Sequence, residues 1–234
     1  MPFFGFLDPA YFIVLSPALI LMVWAQYKVK SAFGKYSKVD VHSGLTGAET
    51  AAEILRSNGI SDVHIESAGG FLSDHYDPSK KVLRLSPDVH GGRSQASVGV
   101  AAHEVGHALQ HAQGYAPLQL RTGLVPVVQL GSYVWMPLLL AGMFLGIGEL
   151  AIVGVVAFAG IALFQLVTLP VEFNASKRAM VEVARLGIVT GPEATGAKAV
   201  LDAAALTYVA AAIQSVLTVL YYLMRLGFLG GGDD

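Results

Sequence analysis

Two histidines and a glutamate occupy one short stretch of the chain with a spacing that suits metal chemistry. The stretch reads HEVGH and contains His103, Glu104 and His107. Residues four apart on a helix project from the same face, so the two imidazoles can share one metal ion. Glu104, about a third of a turn from His103, can reach a water on that ion as a general base. The pattern predicts metal-assisted hydrolysis.

The composition of the 234-residue chain indicates a bilayer environment. Charged residues make up 14% and hydrophobic residues 54%, whereas a soluble domain has about 25% charged residues. The net charge of −2 gives no reason to expect a nucleic-acid partner. Because the chain has no cysteine, a metal must use histidines and carboxylates as ligands.

Four apolar stretches approach the roughly 20 residues that a helix needs to cross a bilayer. They cover about 9–27, 122–145, 147–169 and 203–228. No Lys or Arg precedes the first stretch, which favours a retained anchor over a cleaved signal peptide. Basic residues follow the first and third stretches, so the positive-inside bias places both large loops in the cytoplasm and both termini outside.

The expected organisation alternates membrane and soluble segments. We predict an anchor over 1–27, a catalytic domain over 28–121, a transmembrane hairpin over 122–170, a cytoplasmic helical segment over 171–203, and a last helix with an acidic tail over 204–234. The predicted fold class is a mainly α membrane protein with about four transmembrane helices and a small α+β domain of the gluzincin-like metalloprotease type.

Local patterns predict the elements of that small domain. Thr46 and Glu49 form a capping-box pattern for one helix, and Ser94 is the expected N-cap of the helix with the two histidines. A strand is expected near 63–66. The stretches 71–76 and 81–85 read as a β-hairpin around an Asp-Pro-Ser-Lys turn.

A catalytic zinc usually takes three protein ligands and leaves one position for water. His111 lies about 12 Å beyond His103 on a straight helix, so one ion cannot hold both. The metzincin pattern requires Gly and His where this chain has Gln110 and Gln113. We therefore exclude both options.

Downstream carboxylates supply the remaining candidates for the third ligand. Gluzincins take a Glu from a second helix, and Glu172 fits that arrangement because it follows the third span on the predicted cytoplasmic side. Glu182, on the same predicted helix, is an alternative. A site-2-type intramembrane protease would use Asp202 instead. Glu149 is expected on the other side of the membrane.

Three stretches form a specific combination: AHEVGHA at 102–108, LSDHYDP at 72–78 and PVEFNAS at 170–176. Together with the order of spans, they resemble the YugP-type zinc-dependent membrane peptidases of bacteria over nearly the whole chain. That family is similar in logic to the HtpX and CAAX prenyl protease group, which are membrane gluzincins. The resemblance implies a multi-pass protein of the bacterial plasma (inner) membrane with its active site facing the cytoplasm.

The resemblance also implies roles for individual residues. His103, His107 and Glu172 would bind one Zn²⁺, and Glu104 would act as the catalytic base. The wider group usually has Asp four residues after the ligand Glu, where this chain has Ser176. It follows that another group must orient a zinc-bound histidine.

Two further sets of residues are candidates for contacts with a substrate. The strand with Val82, Leu83 and Leu85 could offer an edge to which an extended substrate pairs, or it could be a plain structural strand. His75 and His90 flank the motif helix in sequence and are candidates for stabilising an oxyanion.

The expected function is zinc-dependent hydrolysis of peptide bonds in membrane or membrane-proximal proteins, with the lipid bilayer and a protein or peptide substrate as partners. A site-2-type intramembrane metalloprotease is the enzymatic alternative. A non-catalytic metal-binding membrane scaffold would not need Glu104. A transporter is disfavoured because ionisable residues are nearly absent from the spans.

Overall fold

The computed structural model describes residues 8–70 and 73–227, which are mainly helical and include one small sheet. This confirms the predicted balance of helices, candidate spans and sheet. In chain order the elements are α1 (Pro9–Tyr36), α2 (Gly47–Ser57), β1 (His64–Ser67), β2 (His75–Asp77), β3 (Val82–Leu85), α3 (Pro87–His90), α4 (Gln95–Ala112), α5 (Ala116–Leu145), α6 (Gly148–Arg185) and α7 (Pro192–Arg225).

Four helices are long and apolar enough to cross a membrane, namely α1, α5, α6 and α7. Each is longer than the apolar stretch that predicts it. Helix α6 continues to Arg185 and α7 already begins at Pro192. An apolar pattern marks only the part of a helix that suits a bilayer, whereas the helix continues for as long as packing supports it.

Contacts between residues divide the chain into two units. The first contains the residues up to Trp24, Leu120–Leu169 and the residues from Thr207 onward. Within it, α5 and α6 approach closely at Gly142, where a Cβ atom would lie 2.4 Å from the backbone nitrogen of Ala151. The second unit contains Ala25–Gln119 and Pro170–Leu206 and carries every residue of the predicted metal centre.

The sheet of the second unit has the strand order β1-β3-β2. Strand β2 pairs antiparallel with β3, which confirms the predicted hairpin, and β1 pairs parallel with β3. The side chain of Asp77 stabilises the hairpin turn, because its Oδ1 accepts the backbone N–H groups of Ser79 and Lys80 at 3.0 and 3.2 Å. Residues 71–72 of the predicted hairpin and the acidic tail at 233–234 lie outside the described residues.

The position of β3 corrects one prediction. Strand β3 is the central strand, and both of its sides are hydrogen-bonded to neighbours. The expected open edge at Val82, Leu83 and Leu85 is therefore wrong, and all three side chains are buried. The sequence did not show this because β1 and β3 are not neighbours in the chain. The residue pattern within one strand does not reveal which distant strand pairs with it.

Helix α4 lies in the core of the second unit. Ser94 caps it as predicted, since its Oγ accepts the backbone N–H of Ser97 at 3.1 Å. The capping box of α2 between Thr46 and Glu49 is also present. Apolar side chains of α4, α2, the sheet and α6 form one cluster, and nearly the whole length of α4 is buried. The helix with the two histidines is thus fixed on several sides.

Candidate metal centre

His103 and His107 project from the same face of α4, as the four-residue spacing predicts. Their ring centroids lie 4.8 Å apart, with the ring planes at 85°. His107 is buried and His103 is half-buried. Two imidazoles at this separation can direct one ring nitrogen each towards a common point.

Glu172 completes the group. The ligand atoms of His103, His107 and Glu172 all lie within 4.8 Å of one another. Oε2 of Glu172 is 3.2 Å from Nε2 of His103 and 3.6 Å from Nε2 of His107. Atoms about 2.0–2.2 Å from a tetrahedral zinc lie roughly 3.3–3.6 Å apart, so the two distances from Glu172 suit the ion, as do the types of the three donors.

A glycine in α4 allows α6, the helix that carries Glu172, to approach the two histidines. A Cβ atom at Gly106 would lie 2.5 Å from the carbonyl oxygen of Ala175 in α6. The missing side chain therefore allows the two backbones to touch at this point. Glu172 lies one turn before Ala175 on α6 and is only 2% exposed. This close approach is the structural reason why a residue 69 positions after His103 reaches its ring.

The tautomer of His107 is fixed by Gln110. Nδ1 of His107 lies 3.0 Å from Oε1 of Gln110, which can only accept a hydrogen bond. The amide nitrogen of Gln110 in turn donates to the carbonyl of Val171 at 2.8 Å and to Oδ1 of Asn174 at 3.0 Å. Nδ1 of His107 therefore carries the proton, and Nε2 is left for a metal.

Ser176 has the corresponding position at His103. Its Oγ lies 3.0 Å from Nδ1 of His103, on the side of the ring away from Glu172. The expectation that another group must orient this histidine is therefore wrong. A serine hydroxyl can accept the hydrogen bond of Nδ1–H, as the carboxylate of the usual Asp would.

Glu104 lies next to His103 in the chain and does not belong to the group of His103, His107 and Glu172. Its side chain is 8% exposed. Among residues 8–70 and 73–227, no hydrogen-bonding partner holds its carboxylate, in contrast to the ligand histidines. Burial alone lowers the pKa of His107, but the hydrogen bond to Glu172 and the charges of Glu104 and Glu172 outweigh it and raise that pKa above its ordinary value. The centre is thus electrostatically suited to a cation.

The alternative third ligands are engaged elsewhere. Glu182 accepts a hydrogen bond from Asn58 at 2.9 Å and pairs with Arg185. Asp202 forms an exposed ion pair with Lys198 at 2.6 Å. His111 contacts the hydroxyl of Tyr76 at 2.8 Å through Nδ1. None of the three belongs to the ligand group found in the described part of the chain.

The two oxyanion candidates also lie outside the ligand group. Nδ1 of His75 is 2.8 Å from the carbonyl of Ser73, and Nε2 is 3.3 Å from the guanidinium of Arg84, so both ring nitrogens are engaged at the edge of the sheet. His90 ends the short helix α3. A role for either residue in stabilising an oxyanion stays a prediction.

Gln110 contacts a histidine of the predicted centre, which the sequence analysis did not foresee. Its identity served to exclude the metzincin pattern, whereas the structure places it against a ligand histidine. The signal was present in the spacing, because residues three apart on a helix are neighbours on its surface. The contact to Asn174 depends on the packing of α6 against α4 and could not be read from the pattern.

The sequence comparisons agree with this geometry. The model of the family described as "Putative neutral zinc metallopeptidase" matches residues 11–227, and the chain belongs to this family. The chain is also similar to a curated protein of Bacillus subtilis (strain 168) with the name "Putative membrane protease YugP". The two are 51% identical over 217 residues, which cover 93% of this chain and 96% of that protein. No solved structure matches the chain.

Proposed function

We propose that the protein is a membrane-embedded zinc metallopeptidase of the gluzincin type, which hydrolyses peptide bonds in membrane or membrane-proximal proteins. The observation that carries the proposal is the buried group of His103, His107 and Glu172 beside the carboxylate of Glu104. Family membership and the membrane protease of Bacillus subtilis support the same reading. Two imidazoles and one carboxylate, with a coordination position left over, are typical of a catalytic zinc centre.

Each residue has a defined task in this mechanism. One zinc ion would be held by Nε2 of His103, Nε2 of His107 and a carboxylate oxygen of Glu172, and when bound it supplies polarisation of the scissile carbonyl and activation of water. Glu104 accepts the proton of the attacking water and passes it to the leaving amine nitrogen. Ser176 and Gln110 contact Nδ1 of the two histidines and so turn Nε2 of each towards the ion.

The proposed location is the bacterial plasma membrane, with several spans and with the metal centre on the cytoplasmic side. Four helices of membrane-spanning length support the multi-pass arrangement, and the basic residues after the first and third apolar stretches support the orientation. Substrates would then be loops, tails or damaged segments of proteins at the cytoplasmic surface.

The test is cleavage of a peptide library by the purified full-length protein loaded with zinc. We expect Glu104→Gln to lower kcat by about 10²- to 10⁴-fold, the usual contribution of a general base. The variant should retain its zinc, since Glu104 is not a ligand. Glu149→Gln makes the same chemical change at an exposed position and should behave as wild type. Full activity of Glu104→Gln would overturn the proposal.

A further inference from the structure

An apolar groove runs between α6 and α7 in the second unit, beside the metal centre. Its volume is about 470 Å³. Helix α6 contributes Phe173, Ser176, Met180 and Val181 to its walls, and α7 contributes Leu201. Phe173 is 48% exposed and Val181 is 54% exposed, so the walls present large apolar side chains to an occupant rather than to the core.

The groove reaches the metal centre through one residue. Ser176 lines the groove, and its Oγ is also the atom that contacts Nδ1 of His103. Phe173 lies next to Glu172 in the chain. Because Ser176 contacts His103 on the side away from Glu172, the groove and the ion position lie on opposite sides of this ring. A segment of roughly three extended residues, at about 3.3 Å per residue, passes around the ring from one to the other.

The charges of the groove favour an occupant with an acidic group. Lys198 is paired with Asp202 at 2.6 Å. Lys177, which also lines the groove, forms no ion pair with any residue within 8–70 and 73–227. The groove therefore offers one uncompensated ammonium group beside apolar walls.

We propose that this groove is a substrate subsite, which receives a large aromatic or aliphatic side chain near the scissile bond while Lys177 binds a carboxylate of the same segment. The inference rests on the proposed peptidase function and names its substrate class: polypeptide segments that combine a large apolar residue with an acidic one. An acyl chain would also fit the apolar walls, but the connection to His103 through Ser176 places the groove within reach of a peptide bound at the ion.

Filling the groove tests the proposal. Ala205 lines it on α7 and is half-buried, so Ala205→Trp should occupy its volume. Ala199→Trp is the matched control, because Ala199 lies on the same helix, is half-buried and does not line the groove. The measurement is kcat/KM for paired peptides that differ only in Phe or Ala at each position near the cleaved bond.

Wild type and Ala199→Trp should prefer Phe at one position by between about tenfold and a hundredfold, the value of burying such a side chain. Ala205→Trp should reduce this preference to less than about threefold. Ala199→Trp should cleave both peptides at the wild-type rate. An unaltered preference in Ala205→Trp would overturn the proposal. If phospholipid co-purifies with wild type and is lost in Ala205→Trp while the peptide preference stays the same, the groove binds lipid and the proposal is also wrong.

A second pair of peptides tests the charge. At low salt, wild type should cleave the peptide with Glu near the apolar residue about three- to tenfold more efficiently than the peptide with Gln, and Lys177→Gln should lose this preference. The effect is small and needs low salt because an exposed charge pair is screened. If the ratio of kcat/KM for the Glu and Gln peptides is the same in wild type and Lys177→Gln, the acidic residue does not belong to the substrate class.

Binding separates the failure of the subsite from the failure of the peptidase. The same peptides are titrated by fluorescence anisotropy into zinc-loaded Glu104→Gln, with and without Ala205→Trp. Suppose that wild type cleaves none of the peptides, that Glu104→Gln binds the Phe peptide more tightly than the Ala peptide, and that Ala205→Trp abolishes this difference in affinity. The subsite then stands and the peptidase function fails. Equal binding of the Phe and Ala peptides overturns the subsite whatever the result of cleavage.

Discussion

Ser176 and Gln110 contact Nδ1 of His103 and of His107, and this arrangement suits the proposed metal centre. The amide oxygen of Gln110 keeps the proton of His107 on Nδ1, and the hydroxyl of Ser176 can accept the same hydrogen bond from His103. Nε2 of each ring is then directed towards the ion position. Gln110 is fully buried and has all of its amide hydrogen bonds satisfied by His107, Val171 and Asn174. Its position is therefore determined by α6 as well as by α4.

The Gln110→Met variant should weaken zinc binding. Methionine has a similar length, but its thioether sulfur is only a weak acceptor for the Nδ1–H group of His107. The loss of such an outer partner typically costs about 10- to 100-fold in metal affinity. Gln119→Met, at an exposed position, is the control. Competition with a chromophoric chelator measures both affinities. Equal zinc affinity of Gln110→Met and wild type would mean that Gln110 does not orient His107.

At the scale of elements, the centre depends on the contact between α4 and α6. Both backbones meet at Gly106 and Ala175. Gly106 directly precedes His107, and Ala175 lies about one turn after Glu172. Because main-chain atoms cannot move aside as a flexible side chain can, any Cβ at this position must push the helices apart.

Gly106→Ala should therefore damage the fold and the metal centre together. We expect a loss of about 1–3 kcal/mol in the free energy of unfolding from overpacking, and weaker zinc binding because Glu172 moves away from the histidines. Gly34→Ala is the control, since nothing lies within 4 Å of its Cβ position. Thermal unfolding and zinc titration measure the two effects. Wild-type behaviour of Gly106→Ala in both would contradict the role of this contact.

Local sequence signals predicted the helices and strands well, but they did not predict the pairing between distant segments. Ser94, the capping box of α2 and the Asp77 turn act within a few residues, so sequence patterns identify them. The central position of β3 results from pairing with β1 and was missed. The same contrast holds at the site, where the His103–His107 spacing is local and the contact of Ser176 depends on packing between α4 and α6.

At the scale of the whole molecule, the distribution of basic residues makes the orientation testable. The chain has no cysteine, so a single introduced cysteine reports on one position. Ser43→Cys lies in a predicted cytoplasmic loop, and Ile147→Cys lies in the turn between α5 and α6; both positions are exposed. In intact cells, a membrane-impermeant maleimide should label Ile147→Cys and spare Ser43→Cys until the cells are opened. The reverse pattern would contradict the proposed orientation.

Zinc stoichiometry in two carboxylate variants tests the central claim most directly. Glu172 lies in the buried ligand group, whereas Asp202 is paired with Lys198 on an exposed surface. Zinc per chain is measured on the purified full-length protein after removal of loosely bound metal. We predict about one zinc per chain in wild type and in Asp202→Ala, and less than about a tenth of that in Glu172→Ala. Zinc retained by Glu172→Ala and lost by Asp202→Ala would contradict the proposed centre and identify the intramembrane arrangement instead.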